Sequence, residues 1–289
     1  MTLGMAALLA STLGWSVMDL LRKLTLRSVP PVALLFWMTM GLVPAFAVWL
    51  WVDGLVPVSS AYVAPALASI VLNVVANLAF FASVTRSPLS QTIPLLSLTP
   101  VFATLFAVFL VRELPGPARA AGSALVVAGA LLLSLAPAEA GGRRFRFDRG
   151  SLLMVGVALL WAVTISLDKL AMDRASGPLH ALVLMGGIGL AALCMLVARG
   201  ELRDLRAAAK APGLVLASLA VSGVAFAFQL IALQSVLVGV VETVKRGIGN
   251  ALALLFGRSV FAEPITGRKA IAVVLLGVGV GLVLWPFGP

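Results

Sequence analysis

The sequence predicts an all-α membrane protein, with ten transmembrane helices arranged as two inverted five-helix repeats. Three observations support this fold class. Hydrophobic residues make up 61% of the 289-residue chain and charged residues only 11%, which is too little polar surface for a soluble domain of this size. Most of the apolar runs exceed the roughly 18 residues that mark a membrane-spanning helix. The two halves of the chain also resemble each other.

The ten helices are assigned from the apolar runs along the chain. These runs are too long for strands and lack strict alternation, and a backbone in lipid must satisfy its own hydrogen bonds. The connections between them are short, so no soluble domain of any size is expected. The segments, numbered in chain order, cover residues 3–21, 32–51, 62–84, 88–111, 119–135, 150–170, 179–198, 213–233, 236–257 and 268–285.

An internal repeat relates the halves on either side of a connection over residues 137–149. Residues 13–31 resemble residues 159–178, with Trp15 in the place of Trp161. An odd number of helices per repeat gives the two halves opposite orientations, and such folds place the binding site between the halves near the midplane. The ends of the two halves match as well, since residues 109–133 resemble residues 259–284. We therefore predict a first repeat over residues 1–136 and a second repeat over residues 150–289.

Charge and composition exclude several classes of function. The net charge of +10 comes from basic residues dispersed among short loops, so we interpret it as a topology signal and expect no nucleic-acid partner. Most Lys and Arg residues follow the odd-numbered segments, and the positive-inside rule then places both termini outside. Cys194 and His180 are the only residues of their types, which argues against a metal or catalytic site built from either. No G-x-x-x-x-G-K-[ST] motif is present, and no cofactor is expected.

Three ionisable residues in the ninth segment are the leading candidates for function: Glu242, Lys245 and Arg246. A charge at the bilayer centre costs at least about 2.5–3.5 kcal/mol, and residues three and four positions apart meet on one side of a helix. A purely structural alternative is an ion pair between Glu242 and Arg246, which still leaves one cation over. We favour one cation neutralised by Glu242 and the other facing a water-filled cavity.

Such a surplus cation has two candidate roles, which the sequence leaves open. The planar fork of Arg246 suits a carboxylate or a phosphate, so the substrate would be an anion. A desolvated lysine can lose its proton, so Lys245 could exchange a proton for substrate. Coupling to a proton or another ion would then run through Lys245 or Glu242.

The fourth segment is the first-half counterpart of the ninth. Pro94 and Pro100 should kink it, and Gly247 and Gly249 should loosen the ninth segment near the corresponding depth. Interruptions in corresponding segments point to the binding site of inverted-repeat transporters. Thr92 offers a hydrogen bond there, either to a ligand or to backbone groups freed by the prolines.

Other residues are assigned structural roles as the first interpretation. Asn73 and Asn77 lie on one helix face and favour contacts between helices, with a cavity role open for Asn77 and for Gln229. Asp168 and Lys169 lie late in the sixth segment, where we expect snorkelling to the interface, with an interfacial pair or a gate as the open alternative. Three further sets complete the expectations: Glu113 and Glu263 as caps of the helices that follow them, Trp15 and Trp161 in packing or a cavity lining, and Gly122, Gly129, Gly277, Gly279 and Gly281 in close helix packing.

The two half-ends carry a resemblance to a known family. "LTPVFATLFAVFLVRELPGPARAAGSALVVAGALLL" and "LLFGRSVFAEPITGRKAIAVVLLGVGVGLVL" resemble the signatures of the EamA-type members of the drug/metabolite transporter superfamily. The chain departs from the common pattern at Arg112 and Ala262, where many relatives have Gly before the Glu. The resemblance implies cytoplasmic termini, opposite to the charge count. It also implies a central cavity lined here by Trp15, Asn77, Thr92, Trp161, Gln229, Lys245 and Arg246.

Together these observations predict a multi-pass secondary transporter of the plasma (inner) membrane that works by alternating access. Its expected substrate is a small organic anion or amphipathic metabolite, moved outward, and its other partner is membrane lipid. A flippase for a phosphate-bearing lipid stays open. An intramembrane enzyme acting on prenyl phosphates is discounted because the apolar segments lack a cluster of aspartates for Mg²⁺, and a scaffold would not need two related halves.

Overall fold

The computed structural model describes residues 2–87, 92–134, 148–261 and 266–285, and these residues contain helices and no β-strand. Three 3-10 helices also occur there, at Ser60–Tyr62, Ile93–Leu98 and Leu202–Lys210. The α-helices are α1 (Leu3–Thr25), α2 (Pro31–Met40), α3 (Val43–Asp53), α4 (Val63–Arg86), α5 (Thr99–Leu110), α6 (Pro117–Ser134), α7 (Arg149–Met172), α8 (Gly177–Arg199), α9 (Pro212–Leu233), α10 (Val238–Phe261) and α11 (Gly267–Leu284).

Seven helical stretches of the described chain are long and apolar enough to cross a membrane, and two shorter apolar helices accompany them. One of the seven, Pro31–Asp53, combines α2 and α3. Helix α10 is not among the seven, because Glu242, Lys245, Arg246 and Arg258 are spread along it. The all-helical membrane class is therefore confirmed, while the count of ten spanning helices in a 5+5 arrangement stays a prediction.

The chain packs as two units. Unit 1 consists of Met1–Leu78 and Thr164–Ser235, and unit 2 consists of Ala79–Val163 and Val236–Pro289. Each unit therefore combines chain from both predicted repeats. Helices α4 and α7 are the two helices whose residues are divided between the units.

In unit 1, α1 packs closely against α9. A Cβ atom added to Gly14 would lie 2.7 Å from the Cβ of Ala225, and the hydroxyls of Thr25 and Ser218 lie 3.4 Å apart. These two contacts run in opposite directions along the helices, so α1 and α9 are antiparallel. The indole N–H of Trp37 on α2 donates to a backbone carbonyl of the third 3-10 helix, Leu202–Lys210, where a connection without helix was predicted.

The second predicted segment is interrupted in the structure. The sequence predicts one helix over residues 32–51, whereas α2 ends at Met40 and α3 begins at Val43. Pro44 lies in the first turn of α3, and it has no N–H with which to continue the ladder of α2. The two short helices together still have the length of one membrane span.

In unit 2, α6 crosses α11 with almost no side chain between the backbones. A Cβ atom on Gly122 would lie 2.6 Å from the carbonyl oxygen of Gly279, and one on Gly279 would lie 2.7 Å from that of Gly122. Gly129 is similarly close to the carbonyl of Ala272. The predicted close packing is thus confirmed at Gly122, Gly129 and Gly279. It is wrong at Gly277 and Gly281, whose Cβ positions are open.

The prolines of the fourth segment change the type of helix. The first turns form the 3-10 helix Ile93–Leu98, and α5 starts at Thr99 with Pro100 in its first turn. The predicted interruption of α10 is wrong, because the helix is continuous from Val238 to Phe261. Gly247 instead permits close packing, since a Cβ atom there would collide with Val280 and touch Val126.

Asp148 caps the start of α7, just outside the span. Its carboxylate accepts hydrogen bonds from the hydroxyl of Ser87 (2.6 Å) and the backbone N–H of Ser151 (2.8 Å). These hydrogen bonds, the one from Ser87 above all, lower the pKa of Asp148 below its usual value. The cap therefore joins the end of α4 to the beginning of α7.

Candidate functional site

The candidate site in unit 2 is a cluster of three charges on α10. Glu242 is almost completely buried, with 2% of its side chain exposed, and the side chains of Lys245 and Arg246 are each 14% exposed. The spacing of three and four residues brings both cations onto the face of Glu242, as the sequence predicts. The ammonium group of Lys245 contacts one carboxylate oxygen, and Nε of Arg246 lies 3.8 Å from the other.

The closer partner of Glu242 is Lys245, not Arg246 as in the structural alternative derived from the sequence. One carboxylate shared by two cations leaves the cluster with a formal charge of +1. Charges removed from water need both a counter-charge and hydrogen bonds, and an excess cation is therefore unfavourable unless an anion joins it. The cluster thus has the sign and the burial of an anion site.

Two atoms of this cluster have unsatisfied hydrogen-bonding capacity. Within the described residues, neither Nε of Arg246 nor Oε2 of Glu242 has a hydrogen-bond partner, although both atoms are buried. Their mutual distance of 3.8 Å is an ion-pair distance and exceeds that of a hydrogen bond. A buried donor without a partner costs about 1–3 kcal/mol, so an oxygen atom delivered to Arg246 would be favourable.

Polar contacts fix α10 on either side of the cluster. The hydroxyls of Ser123 on α6 and Thr243 lie 2.8 Å apart, and the amide of Asn250 donates to Ser97 at 2.8 Å. At the start of α10, the carboxylate of Glu113 accepts the backbone N–H of Val238 at 2.8 Å. Glu113 was expected to cap the helix that follows it, and the structure shows it at the start of α10. Glu263 lies outside the described residues.

A small pocket lies beside this end of α10. Its polar lining comes from Thr104, Glu113, Arg119 and Ser123. Lys245 and Arg246 do not line it, so the placement of one cation in a water-filled cavity stays a prediction.

The other predicted site residues are distributed over both units. In unit 2, Thr92 is fully buried at the start of the second 3-10 helix, and the ring of Trp161 lies 5.5 Å from that of Phe80. In unit 1, Trp15 lies beneath the guanidinium of Arg22, at 5.5 Å from the ring centroid. The last two predicted site residues also lie in unit 1. The amide of Asn77 donates to the carbonyl of Asn73, and Gln229 is buried on α9.

Unit 1 contains a second polar cluster, which sequence reasoning missed. The carboxylate of Asp168 on α7 accepts the hydroxyl of Ser69 on α4 and lies 3.1 Å from Nε2 of His180 on α8. The other ring nitrogen of His180 lies 3.3 Å from the hydroxyl of Tyr62. The amide of Asn73 donates to Ser69. All of these residues except Asn73 are buried, His180 completely.

The expectation that Asp168 snorkels to the interface is therefore wrong. Its side chain points to His180 and Ser69 because these groups satisfy the carboxylate inside the protein, where water cannot. The sequence contains the relevant signal, since an ionisable residue inside a span is a functional candidate by default. That rule, applied to Asp168 and His180 as it was to α10, would have selected both.

The described part of the chain contains several helices of spanning length, buried charges and no strand. These features define a multi-pass integral membrane protein. The EamA-like transporter family matches residues 2–135 and 148–285, and the chain belongs to this family. The expected membership of the drug/metabolite transporter superfamily is thereby confirmed. A protein of known crystal structure shares the fold, with a TM-score of 0.72 and 22% identity over 97% of this chain and 96% of that chain. A comparison with curated proteins found no match.

Proposed function

We propose that this protein is a secondary transporter that moves a small organic anion or amphipathic metabolite by alternating access. Two inverted five-helix repeats, residues 1–136 and 150–289, would supply the two related parts that such a cycle needs. Membership of a transporter family supports transport and argues against an enzyme. We place the protein in the plasma membrane and expect export.

One observation supports an anionic substrate. Nε of Arg246 is buried without a hydrogen-bond partner among the described residues, in a cluster with a formal charge of +1. A carboxylate or phosphate oxygen would supply the missing acceptor and the missing charge together. Charge-assisted hydrogen bonds of this kind are roughly twice as strong as neutral ones, and the guanidinium can offer two in parallel. Glu242 lies at ion-pair distance from Arg246, and Lys245 contacts the same carboxylate.

A phosphate-bearing lipid presents the same chemistry to Arg246 as a soluble phosphate does. The flippase is therefore the second candidate, favoured by the same atom. In that case the headgroup would bind at the cluster while the acyl chains stay in lipid.

The test is a thermal-shift screen of the purified protein, because a ligand that binds the native state raises its apparent stability by mass action. The probes are acetate, citrate, glutamate, inorganic phosphate, a nucleoside monophosphate and a short-chain phosphatidic acid. We expect at least one anion to stabilise the wild type and to lose its effect in Arg246→Met. Arg199→Met, which removes an exposed arginine at the end of α8, is the matched control and should behave like the wild type.

Transport of the probe that stabilises the protein is then measured in proteoliposomes. Counterflow of the labelled probe against the unlabelled probe should depend on protein and on Arg246. If the phosphatidic acid is the only probe that stabilises the protein and is transported, the flippase is favoured. No shift with any probe, or equal shifts in Arg246→Met, would reject an anion site at the cluster.

A further inference from the structure

We infer that Asp168 and His180 form a proton-binding site, and that the proton bound there is the coupling ion of the transport cycle. The first part of this inference is independent of the substrate, and only the second part depends on the proposed function. Both parts differ from the expectation that coupling runs through Lys245 or Glu242. The site consists of Asp168, His180, Tyr62 and Ser69, all within unit 1.

The network satisfies His180 in both of its charge states. When the ring is neutral, Nε2–H donates to Asp168 and Nδ1 accepts the hydroxyl proton of Tyr62. When the ring is protonated, both nitrogens donate, and the hydroxyl of Tyr62 turns to become the acceptor. A single rotation of one hydroxyl thus accommodates the arrival of the proton. Histidine is the side chain that commonly changes charge near physiological pH.

The same geometry excludes nucleophilic catalysis by Ser69. A catalytic serine donates its proton to a histidine, which is in turn oriented by an acid. Here the acid lies in the middle, because Asp168 Oδ1 is the atom that both Ser69 and His180 contact. Ser69 therefore orients the carboxylate, Asn73 donates to Ser69, and only the Asp168–His180 contact changes charge.

Protonation changes the formal charge of the buried cluster from −1 to 0. With a neutral ring, Asp168 is an uncompensated carboxylate in a site where the side chains are at most 6% exposed. Burying a net charge is costly, whereas a hydrogen-bonded ion pair is tolerated. Binding of one proton therefore converts an uncompensated carboxylate into a hydrogen-bonded ion pair, and release of the proton restores the carboxylate.

The helices packed around the site present few other charges. Helices α2 and α9 contain no titratable residue, and α3 contains only Asp53, which is exposed at its end. On α4 the sole charged residue is Arg86, at the far end. The third 3-10 helix carries charges at the Arg199 end of α8, away from His180.

Charged residues do lie near the α7–α8 connection, within one to two turns of the site. Lys169 follows Asp168 directly in sequence, and Asp173 is exposed at the connection. Arg174 is engaged by the chain before α4, since its guanidinium donates to the carbonyl of Ala61 at 2.8 Å. Asp168 lies one turn before the end of α7 and His180 one turn after the start of α8, so both residues lie close in sequence to the α7–α8 connection, where Asp173 is exposed.

The first experiment uses the fact that His180 is the only histidine of the chain. The full chain, purified through a tag without histidine and placed in lipid nanodiscs with ¹⁵N-histidine, gives one ring spectrum for this site. Spectra are recorded over a pH series from about 5 to 8, and the proton site predicts that both the neutral and the charged signatures of the ring occur within the series. A ring that keeps one signature over that whole range overturns the proton site.

Two variants show whether Asp168 and Tyr62 belong to the site. In Asp168→Asn the titration curve should be displaced, because the amide cannot neutralise the imidazolium. Tyr62→Phe should still titrate but should lose the second ring hydrogen bond in its spectrum. Arg199→Met should reproduce the wild-type curve. An unchanged curve in Asp168→Asn would reject the proposed partner of His180.

The second experiment tests coupling in proteoliposomes with the stabilising anion from the screen and the membrane potential clamped. A pH gradient of one unit, applied in each direction, should drive up to about tenfold accumulation for one proton per substrate in one of the two directions. His180→Gln and Asp168→Asn should lose this accumulation. The pH dependence of the melting temperature, compared between wild type and variants, checks that the variants are folded.

The outcomes separate the two proposals. Counterflow in the wild type without any effect of a pH gradient rejects proton coupling and leaves the transporter intact. A titrating His180 in a protein that transports none of the probes supports the proton site and rejects the proposed function.

Discussion

The charged clusters of the two units differ in how completely their own residues satisfy them. In unit 1, both ring nitrogens of His180 and the carboxylate of Asp168 have partners within the cluster. In unit 2, Glu242 serves two cations at once, and Nε of Arg246 is left without a hydrogen bond among the described residues. The first cluster needs at most a proton to become neutral, and the second needs an anion.

This difference teaches how buried charge can be interpreted in a membrane protein. A complete network that differs between its states by one proton is suited to a small ion, which needs no space. An incomplete network with surplus charge is suited to a larger ligand that brings its own acceptors. Four variants test this comparison, beginning with the largest expected effect.

Glu242→Gln should be the most destabilising change, because it removes the carboxylate that Lys245 and Arg246 share. Removing one partner of a buried ion pair costs about 3–5 kcal/mol. The measurement is the free energy of unfolding in detergent, or the yield of folded protein if unfolding is irreversible. The double variant Glu242→Gln/Lys245→Met also removes one of the two buried cations and should recover part of the loss. A double variant as unstable as the sum of the single ones would contradict the shared carboxylate.

Arg246→Met should weaken binding of the stabilising anion by about tenfold to a hundredfold, the equivalent of one strong charge-assisted hydrogen bond. Stability should fall much less than in Glu242→Gln, since Lys245 still neutralises the carboxylate. Isothermal titration of the anion gives the affinity. Arg246→Lys keeps the charge without the planar fork, so its affinity for the anion should lie between those of the wild type and Arg246→Met. Equal affinity in all three proteins would remove Arg246 from the site.

Most of the helices could be predicted from the sequence, because spanning helices are set by hydrophobic length alone. The break between Met40 and Val43 was not predicted, although Pro44 is its cause, since apolar composition continues across it. The continuity of α10 was also missed. Gly247 is a weak helix former in isolation, but packing against Val126 and Val280 decides its conformation.

The two clusters were not equally predictable. Glu242, Lys245 and Arg246 lie within one turn of α10, so helical spacing is enough to bring them together. Asp168 and His180 are separated by a reversal of the chain, and Ser69 and Tyr62 lie about a hundred residues away in sequence. No local pattern relates such residues, and only the packing of α4, α7 and α8 does so.

Ser69→Ala should have a smaller effect than the changes in α10. Asp168 loses one donor but keeps His180, so the expected loss is about 1 kcal/mol of unfolding free energy. Denaturant unfolding of wild type and Ser69→Ala measures the loss. Equal stability of the two proteins would indicate that the hydroxyl of Ser69 does not help to satisfy Asp168.

Asp148→Asn should have the smallest effect on stability of the four variants, and this effect should depend on pH. The lowered pKa of Asp148 means that its hydrogen bonds stabilise the folded state above the unfolded pKa of about 3.9. This contribution is lost as the pH falls through the lower folded pKa. Melting temperatures of wild type and variant should therefore differ at neutral pH and converge in acid. A difference that stays the same from neutral pH into acid would show that the ionised carboxylate of Asp148 does not contribute.

The crossing of α6 and α11 restricts how unit 2 can change shape. Gly122 and Gly279 place each backbone against a carbonyl of the other helix, and the side chains of Val126 and Val283 fill the remaining space beside them. A shift by one residue along either helix would bring a side chain into a space that holds only hydrogen. Any rearrangement within unit 2 would therefore move the two helices as one rigid body and would occur at the looser contacts of the unit.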